Sequence, residues 1–192
     1  TGSGIALGAR TLVFGDNTNS SFDGVIGGTG SLVKQGVGTT TLGDVSTYTG
    51  DTTIYAGTLA LSGAGSLNTQ GIMALTSSTA GFDISRADGN RTIGALSGAA
   101  GSTVTLGART LTFGAGTSQH FNGVIRGTGG LVKQGTGTTT FTGVNTYSGG
   151  TNINAGTLAL SGSGSLADTG AVNLESAARL DISAANGNRT IG

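Results

Sequence analysis

The chain has 192 residues, of which 39 are glycine and only 9% are charged, and it contains no proline, cysteine or tryptophan. Nine basic residues balance nine acidic ones, so no excess of positive charge favours binding to a nucleic acid or an anionic membrane surface. The absence of cysteine excludes a disulfide scaffold and thiolate metal sites, and the glycine content argues against helices, because a helical glycine costs about 1 kcal/mol relative to alanine.

Short strand-like runs recur along the chain, separated by glycine, asparagine, aspartate or serine. In the first half they are predicted at 11–14, 22–26, 39–42, 52–55, 58–61, 72–75 and 82–85. These runs are rich in threonine, valine and isoleucine, which favour strands. Each is only four or five residues long, so successive runs must stack to bury a continuous core.

The second half of the chain repeats the first. Four matched segments show this: ALGARTL at 6–12 with TLGARTL at 105–111, LVKQG at 32–36 and 131–135, AGTLALSG at 56–63 and 155–162, and GNRTIG at 89–94 and 187–192. The offset is 99 residues for the first three pairs and 98 for the last. We interpret the chain as one segment made of two internal repeats, about 1–98 and 99–192.

Alternation within the runs predicts which side chains point inward. Leu59 and Leu61 share one face of their strand, and Phe82 and Ile84 flank an outward Asp83. In the second copy the same pattern places Leu158 with Leu160, Val172 with Leu174, and Leu180 with Ile182 on inner faces. The segment 166–180 also has spacing that suits an amphipathic helix, but its first-copy counterpart would make a poor helix, so we predict strands for both.

Lys34 conflicts with this pattern. Alternation places Lys34 on the same face as Leu32, and Lys133 repeats the conflict in the second copy. We expect a bend after Leu32 that leaves the lysine ammonium in solvent.

The predicted fold class is all-β, a parallel β-helix of roughly nine coils. Antiparallel sandwiches use longer strands than these, and a propeller needs a motif that recurs every 40–50 residues, which is missing. A coil of about 20 residues instead places a short strand on each side of a narrow core. Glycine-rich corners and the lack of proline suit such stacked parallel strands.

One stretch in each repeat carries a family pattern. The first copy reads GSLVKQGVGTTTL at 30–42, TYTG at 47–50 and TIYAGTLAL at 53–61, and the second reads GGLVKQGTGTTTF at 129–141, NTYSG at 145–149 and NINAGTLAL at 152–160. The pattern resembles the passenger-associated transport repeat of bacterial autotransporters, also called the autotransporter-associated β-strand repeat. Ser46 stands where the family usually has asparagine, whereas Asn145 fits.

The resemblance implies a right-handed β-helix displayed outside the cell, at the bacterial surface. It also implies a C-terminal outer-membrane β-barrel in the full-length protein, through which this region is exported. The repeat itself has no catalytic residues to carry over.

Few residues suggest chemistry, and we predict no catalytic residue, no cofactor-binding residue and no metal ligand. His120 is the single histidine, and Ser21 takes its place in the first copy. Asp83 and Arg91 recur as Asp181 and Arg189, and we expect each repeated pair to form either a structural ion pair or hydrogen bonds at corners. The other first-copy aspartates, Asp16, Asp23, Asp44 and Asp51, have no acidic counterpart in the second copy, whose single glutamate is Glu175. Calcium-binding and phosphate-binding glycine motifs are absent from the sequence.

The threonine runs at 39–41 and 138–140 are expected to form outward rows. An ordered threonine ladder could bind ice, but threonine is also a common residue on solvent faces of strands.

We therefore expect a structural stalk segment, not an enzyme, that aids folding-coupled export and presents distal parts of a passenger. The alternative is adhesion to a host surface or self-association, as in cell aggregation or biofilm, through the polar lateral faces. An enzyme of the polysaccharide-lyase type is a third hypothesis, which requires an acidic cluster in a groove. Nucleic acids and small-molecule substrates are not expected partners.

Overall fold

A computed structural model describes residues 3–191. Thr1, Gly2 and Gly192, at the outer ends of the two predicted repeats, lie outside the described residues. Within that range the chain forms strands, turns and bends and no helix. The strands are β1 (Gly4–Ala6), β2 (Leu12–Phe14), β3 (Ser20–Phe22), β4 (Val25–Gly28), β5 (Leu32–Lys34), β6 (Thr39–Leu42), β7 (Thr47–Tyr48), β8 (Thr52–Ile54), β9 (Thr58–Gly63), β10 (Met73–Leu75), β11 (Gly81–Ala87), β12 (Arg91–Thr92), β13 (Leu96–Gly98), β14 (Thr103–Thr105), β15 (Leu111–Phe113), β16 (Gln119–Phe121), β17 (Val124–Gly127), β18 (Leu131–Lys133), β19 (Thr138–Phe141), β20 (Thr146–Tyr147), β21 (Thr151–Ile153), β22 (Thr157–Gly162), β23 (Val172–Leu174) and β24 (Arg179–Ala185).

The strands stack into parallel sheets that run along the molecule. The longest sheet has nine strands, in the order β2-β5-β8-β10-β13-β16-β19-β22-β24, and the others have seven (β20-β17-β14-β11-β9-β6-β3), five (β12-β15-β18-β21-β23) and three (β1-β4-β7). Every pairing of these strands is parallel. Residues about 20 positions apart lie side by side, as Leu12, Leu32 and Thr52 do. The fold is a parallel β-helix of about nine turns, and the predicted fold class is confirmed.

One predicted strand was wrong. The run at 22–26 is two strands, because β3 ends at Phe22 and β4 begins at Val25. Gly24 lies in the corner between them, where a Cβ would come within 2.4 Å of the carbonyl oxygen of Ser3. The chain bends there against the preceding turn, and Val25 N donates to that same carbonyl at 3.1 Å.

The core follows the predicted alternation in the interior of the stack. Leu59, Leu61, Phe82 and Ile84 are buried. Farther along, Phe113, Phe121 and Phe141 pack in the core. The rings of Phe121 and Phe141 meet edge to face with centroids 5.9 Å apart.

At the end of the stack the predicted inward residues are not covered. Leu174 in β23 and Ile182 in β24 are about half exposed, at 49% and 46%. Both strands are the last of their sheets among residues 3–191, so no further turn packs on them.

Candidate functional site

A buried lysine lies inside each repeat. Lys34 ends β5 with a fully buried side chain, on the same inward face as Leu32. In register it lies between Phe14 of the preceding turn and Ile54 of the following turn. The expectation that its ammonium reaches solvent was wrong. Strand alternation continues through Lys34 and carries the side chain into the core.

Three carbonyl groups satisfy the Lys34 ammonium. Its Nζ donates to the backbone oxygens of Gln35 at 2.6 Å, Gly36 at 2.8 Å and Ala56 at 3.2 Å. An ammonium has three N–H donors and no acceptor, so this set matches its full capacity. The first two oxygens come from the corner after Lys34, and the third comes from the following turn. The lysine therefore joins two successive turns.

The backbone of this corner requires glycine. Gly36 has φ of +70°, and a Cβ there would come within 2.2 Å of the carbonyl oxygen of Asp16. Burial lowers the pKa of Lys34, and the charge of Asp16 opposes that change. No carboxylate of residues 3–191 lies within ion-pair distance of the Lys34 ammonium, so backbone dipoles stabilise the charge.

The second repeat reproduces the arrangement. Lys133 Nζ donates to the oxygens of Gln134 at 2.8 Å, Gly135 at 2.9 Å and Ala155 at 3.3 Å. Burial also lowers the pKa of Lys133. Because both copies contain the same cage, the buried lysine is a structural element of the repeat.

A buried tyrosine–threonine pair lies at a second corner. The Tyr48 hydroxyl hydrogen-bonds the Thr52 hydroxyl, and Tyr147 bonds Thr151 at 2.5 Å in the second copy. Burial raises the pKa of Tyr48 to about 12 and raises the pKa of Tyr147. Each pair lets an aromatic ring fill the core while its hydroxyl has a partner.

The two copies differ at the position before this tyrosine. Asn145 Oδ1 accepts from Ile125 N at 2.8 Å, and its Nδ2 donates to Ser165 O at 2.7 Å, so one side chain bridges the turns on either side. Ser46 occupies the same place in the first copy, and its buried hydroxyl has no hydrogen-bond partner among the described residues. The shorter side chain reaches neither neighbouring turn.

The repeated arginines form corner hydrogen bonds. Arg91 Nε donates to Gly65 O at 2.7 Å, and its Nη1 donates to Asn90 O at 3.0 Å. Arg189 makes the equivalent bond from Nε to Gly164 O at 2.8 Å. Of the two structural roles predicted for the repeated residues, the corner hydrogen bonds are therefore the one observed for arginine.

The repeated aspartates act within their own strands. Asp83 Oδ1 accepts from Ser85 N at 2.8 Å, and Asp181 Oδ1 accepts from Ser183 N at 3.0 Å. The single ion pair among residues 3–191 joins Arg179 to Asp181 at 3.0 Å. The alternative prediction, an ion pair between Asp83 and Arg91, was therefore wrong.

The outer faces of the helix are polar but not uniform. On the seven-stranded sheet one outward row runs in register through Thr41, Ala60, Asp83, Thr105 and Arg126. Arg126 Nε donates to Thr105 Oγ1 at 3.0 Å. Ala60 is buried in the middle of this row, and the other side chains form a surface of hydroxyls and charges.

The expected outward threonine rows were wrong at their middle position. Thr40 and Thr139 are buried, while Thr39 and Thr41 lie on the outer side of β6. A strand cannot send three successive side chains to one face. The Thr40 hydroxyl instead lies 3.3 Å from the hydroxyl of Ser20 in the preceding turn.

Comparison with known proteins locates these corners in a known repeat. The family model described as passenger-associated-transport-repeat matches residues 32–61 and 131–160, which contain both lysine cages and both tyrosine–threonine pairs. A second similarity covers 127 residues, 65% of this chain, which are 35% identical to the Adhesin BmaC autotransporter of Brucella suis biovar 1 (strain 1330). This chain therefore carries two passenger-associated transport repeats and is similar to part of an autotransporter adhesin. It spans 4% of the length of that adhesin, and no solved structure matches it.

The single histidine is exposed and belongs to no candidate metal site among residues 3–191. His120 is exposed in β16, beside Thr140 of the next turn. No group of three or more histidine, aspartate and glutamate side chains among residues 3–191 could hold a metal ion. Nor does that part of the chain contain a helix long and apolar enough to cross a membrane.

Three of the four first-copy aspartates accept hydrogen bonds from backbone amides at turns. Asp16 Oδ1 accepts from Thr18 N at 2.7 Å. The hydrogen bonds from Thr18 lower the pKa of Asp16. Asp51 Oδ1 accepts from Ile72 N in the next turn at 2.7 Å. Asp44 bonds the following amide at 2.7 Å. Asp23 and Glu175 are polar surface residues.

Sequence reasoning gave no role to three features of the passenger repeat. They are the lysine cage, the tyrosine–threonine pair and the asparagine bridge, and each joins residues from different turns or corners. The available signal was repetition, since Lys34, Tyr48 and Thr52 all recur 99 residues later.

Proposed function

We propose that this passenger segment is a structural stalk on the bacterial cell surface that holds more distal parts of the protein away from the membrane. The observation that carries the proposal is the continuous stack of about nine parallel turns with a largely apolar core and repeated corner bonds. In this proposal residues 1–98 and 99–192 are two copies of one unit in a single rod, and neither copy catalyses a reaction.

Folding by stacking also suits export. Each added turn buries apolar side chains against the turn already in place, which stabilises it by about 25 cal/mol per Å² of apolar surface removed from water. Turns that fold outside the cell cannot slide back through a narrow pore, so sequential stacking favours outward movement. The partner implied for this step is the C-terminal outer-membrane β-barrel of the full-length protein.

The test of the stalk uses inward and outward substitutions on one strand of the full-length passenger. Leu59→Ser, with Leu158→Ser in the second copy, places a hydroxyl in the core, whereas Thr58→Ser changes only the outer face of the same strand. We expect the leucine variants to lower the amount of passenger accessible to protease on intact cells and Thr58→Ser to leave it unchanged. Equal display of all variants would contradict the proposal.

Adhesion or self-association is the second candidate function. The relative is named an adhesin, and the outer faces of this chain offer rows of hydroxyls with no net charge to oppose contact. Its test is sedimentation of the segment over a wide concentration range, with and without capping turns fused to both ends. Association that survives capping favours the lateral faces, and a capped monomer at every concentration argues against self-association.

A further inference from the structure

A polar cleft opens on the outer face of the seven-stranded sheet, in the first repeat. It has a volume of about 360 Å³. Its lining includes Thr39, Thr41, Thr58, Ala60, Asp83 and Arg86, which come from β6, β9 and β11 of three successive turns.

A glycine, an alanine and one bulge create this depression. Gly81 lies in register beside Thr58, and Ala60 lies beside Asp83, so the middle of the face carries little side-chain bulk. The pairing of β9 with β11 then shifts between Asp83 and Arg86. Such a bulge re-aims the side chains that follow it, and Arg86 lines the same cleft as Asp83.

The second repeat keeps Ala159 beside Asp181 and the same register shift, but it differs at two positions of the cleft. Arg179 replaces Gly81, lies beside Thr157, and forms an ion pair with Asp181, the counterpart of Asp83, at 3.0 Å. Ala184 replaces Arg86. In the second copy the carboxylate of Asp181 is therefore already paired with Arg179, and no guanidinium stands at the position of Arg86.

In the first repeat the two charged groups remain available to a ligand. Asp83 uses Oδ1 to accept from Ser85 N, and within residues 3–191 its carboxylate forms no ion pair. Arg86 is exposed and likewise forms no ion pair in that range. The cleft thus offers a carboxylate acceptor, a guanidinium donor and threonine hydroxyls that can donate or accept.

The backbone of the cleft floor limits the class of ligand. β9 and β11 each pair with a strand on both sides, so neither has a free edge on which an extended peptide could add. Recognition must then come from side chains alone. The lining has no aromatic ring, which leaves hydrogen bonding to a ligand that carries many closely spaced donors and acceptors.

We propose that this cleft binds a saccharide unit, with adjacent sugar hydroxyls donating to Asp83 and accepting from Arg86. Charge-assisted hydrogen bonds of this kind are stronger than neutral ones. A cleft of this volume lies within the range of small-ligand sites. The proposal goes beyond the stalk role and does not depend on it, because a stalk can stand without a ligand.

The experiment screens the purified chain on a printed panel of neutral and carboxylate-bearing oligosaccharides and measures the best hit by isothermal titration calorimetry. We expect a stoichiometry of one per chain, because Arg179 occupies the equivalent place in the second repeat and pairs with Asp181. Asp83→Asn preserves the bond from Ser85 and removes the charge, and it should weaken binding about tenfold or more. Gly81→Arg fills the cleft as Arg179 does in the second copy, and it should abolish binding.

The matched control is Asp181→Asn, the same substitution at the equivalent place in the second copy. It should leave sugar affinity unchanged. Circular dichroism checks that Gly81→Arg folds, and Asp83→Asn keeps the test valid if that variant does not.

Three results would overturn the proposal. They are no binding to any panel sugar, binding that survives both Asp83→Asn and Gly81→Arg, or binding that Asp181→Asn weakens equally. None of these results affects passenger display on cells, so failure of the cleft and failure of the stalk are separable.

Discussion

Replacing Lys34 by methionine tests whether the buried ammonium holds successive turns together. Methionine has a similar length and fills the space of the lysine stem, so the change removes charge and donors while it keeps most of the packing. Three carbonyl oxygens, those of Gln35, Gly36 and Ala56, lose their donor.

The expected magnitude follows from that count. The variant no longer buries a charge, so the desolvation cost of the ammonium disappears together with its hydrogen bonds. What remains is the cost of three partly buried acceptors without a donor, at about 1 kcal/mol each. Lys34→Met should therefore destabilise this part of the stack by about 3 kcal/mol, and Lys133→Met should do the same in the second repeat.

Hydrogen exchange is the suitable assay, because a stack of turns can open locally without global unfolding. A loss of about 3 kcal/mol speeds exchange of the amides at 35–57 about a hundredfold. The matched control is Leu32→Met, an inward substitution of similar volume on the same strand, which should cost less than about 1.5 kcal/mol.

The reasoning would be refuted if Lys34→Met and Leu32→Met gave similar exchange at 35–57. In that case water would replace the ammonium without loss, and the lysine would have no role in joining turns.

Three further predictions concern the other corners. Because burial raises the pKa of Tyr48 to about 12, the folded chain keeps this proton while the unfolded chain releases it near pH 10. That stability is complete below pH 10 and declines by about 2–3 kcal/mol toward pH 12. Tyr48→Phe should reduce the decline in alkaline melting curves, and the contribution of Tyr147 should remain. Ser46→Asn should raise stability by about 1 kcal/mol by adding the bridge seen at Asn145, and Asn145→Ser should lower it by a similar amount; urea unfolding measures both. Arg91→Lys should cost about 1–2 kcal/mol, because an ammonium cannot span the carbonyls that the guanidinium bonds, and faster exchange of the amides at 63–65 would report it.

Each of these has a result that would count against it. An alkaline decline of the same size in Tyr48→Phe as in the unchanged chain would assign the decline to other groups. Loss of stability in Ser46→Asn would mean that the first repeat cannot accept the bridge. Unchanged exchange in Arg91→Lys would show that the hydrogen bonds from Arg91 to Gly63 and Gly65 do not stabilise this corner.

The fold was readable from the sequence because every level of the pattern agreed. Short runs with period-two alternation, glycine at the corners and a 99-residue repeat all require stacked strands. Leu59 and Phe82 were placed inward by alternation alone, and both are fully buried.

The wrong predictions concern polar side chains that strand alternation places in the core. Lys34 and Thr40 were assigned to the outside because charged and hydroxyl side chains usually face solvent. Both follow alternation into the core, since the groups that satisfy them come from other turns, such as the carbonyl of Ala56. A partner 22 residues away is not visible in a local pattern.

The polar cleft could not be predicted from the sequence either. It depends on the register shift between Asp83 and Arg86 and on the missing side chain at Gly81 beside a neighbouring turn. The sequence shows that Gly81 and Arg179 occupy equivalent positions, but only the pairing shows what that difference opens.

The lysine cages also divide the rod under mechanical load. Pulled from one end, stacked turns peel away one after another, since each touches only its neighbours. Where a backbone carbonyl accepts from the lysine ammonium of the preceding turn, that turn resists peeling more than the other turns do. These joints recur at Lys34 and Lys133, 99 residues apart. In single-molecule extension the force trace should therefore show strong peaks separated by about 340 Å of extended chain, with weaker steps between them.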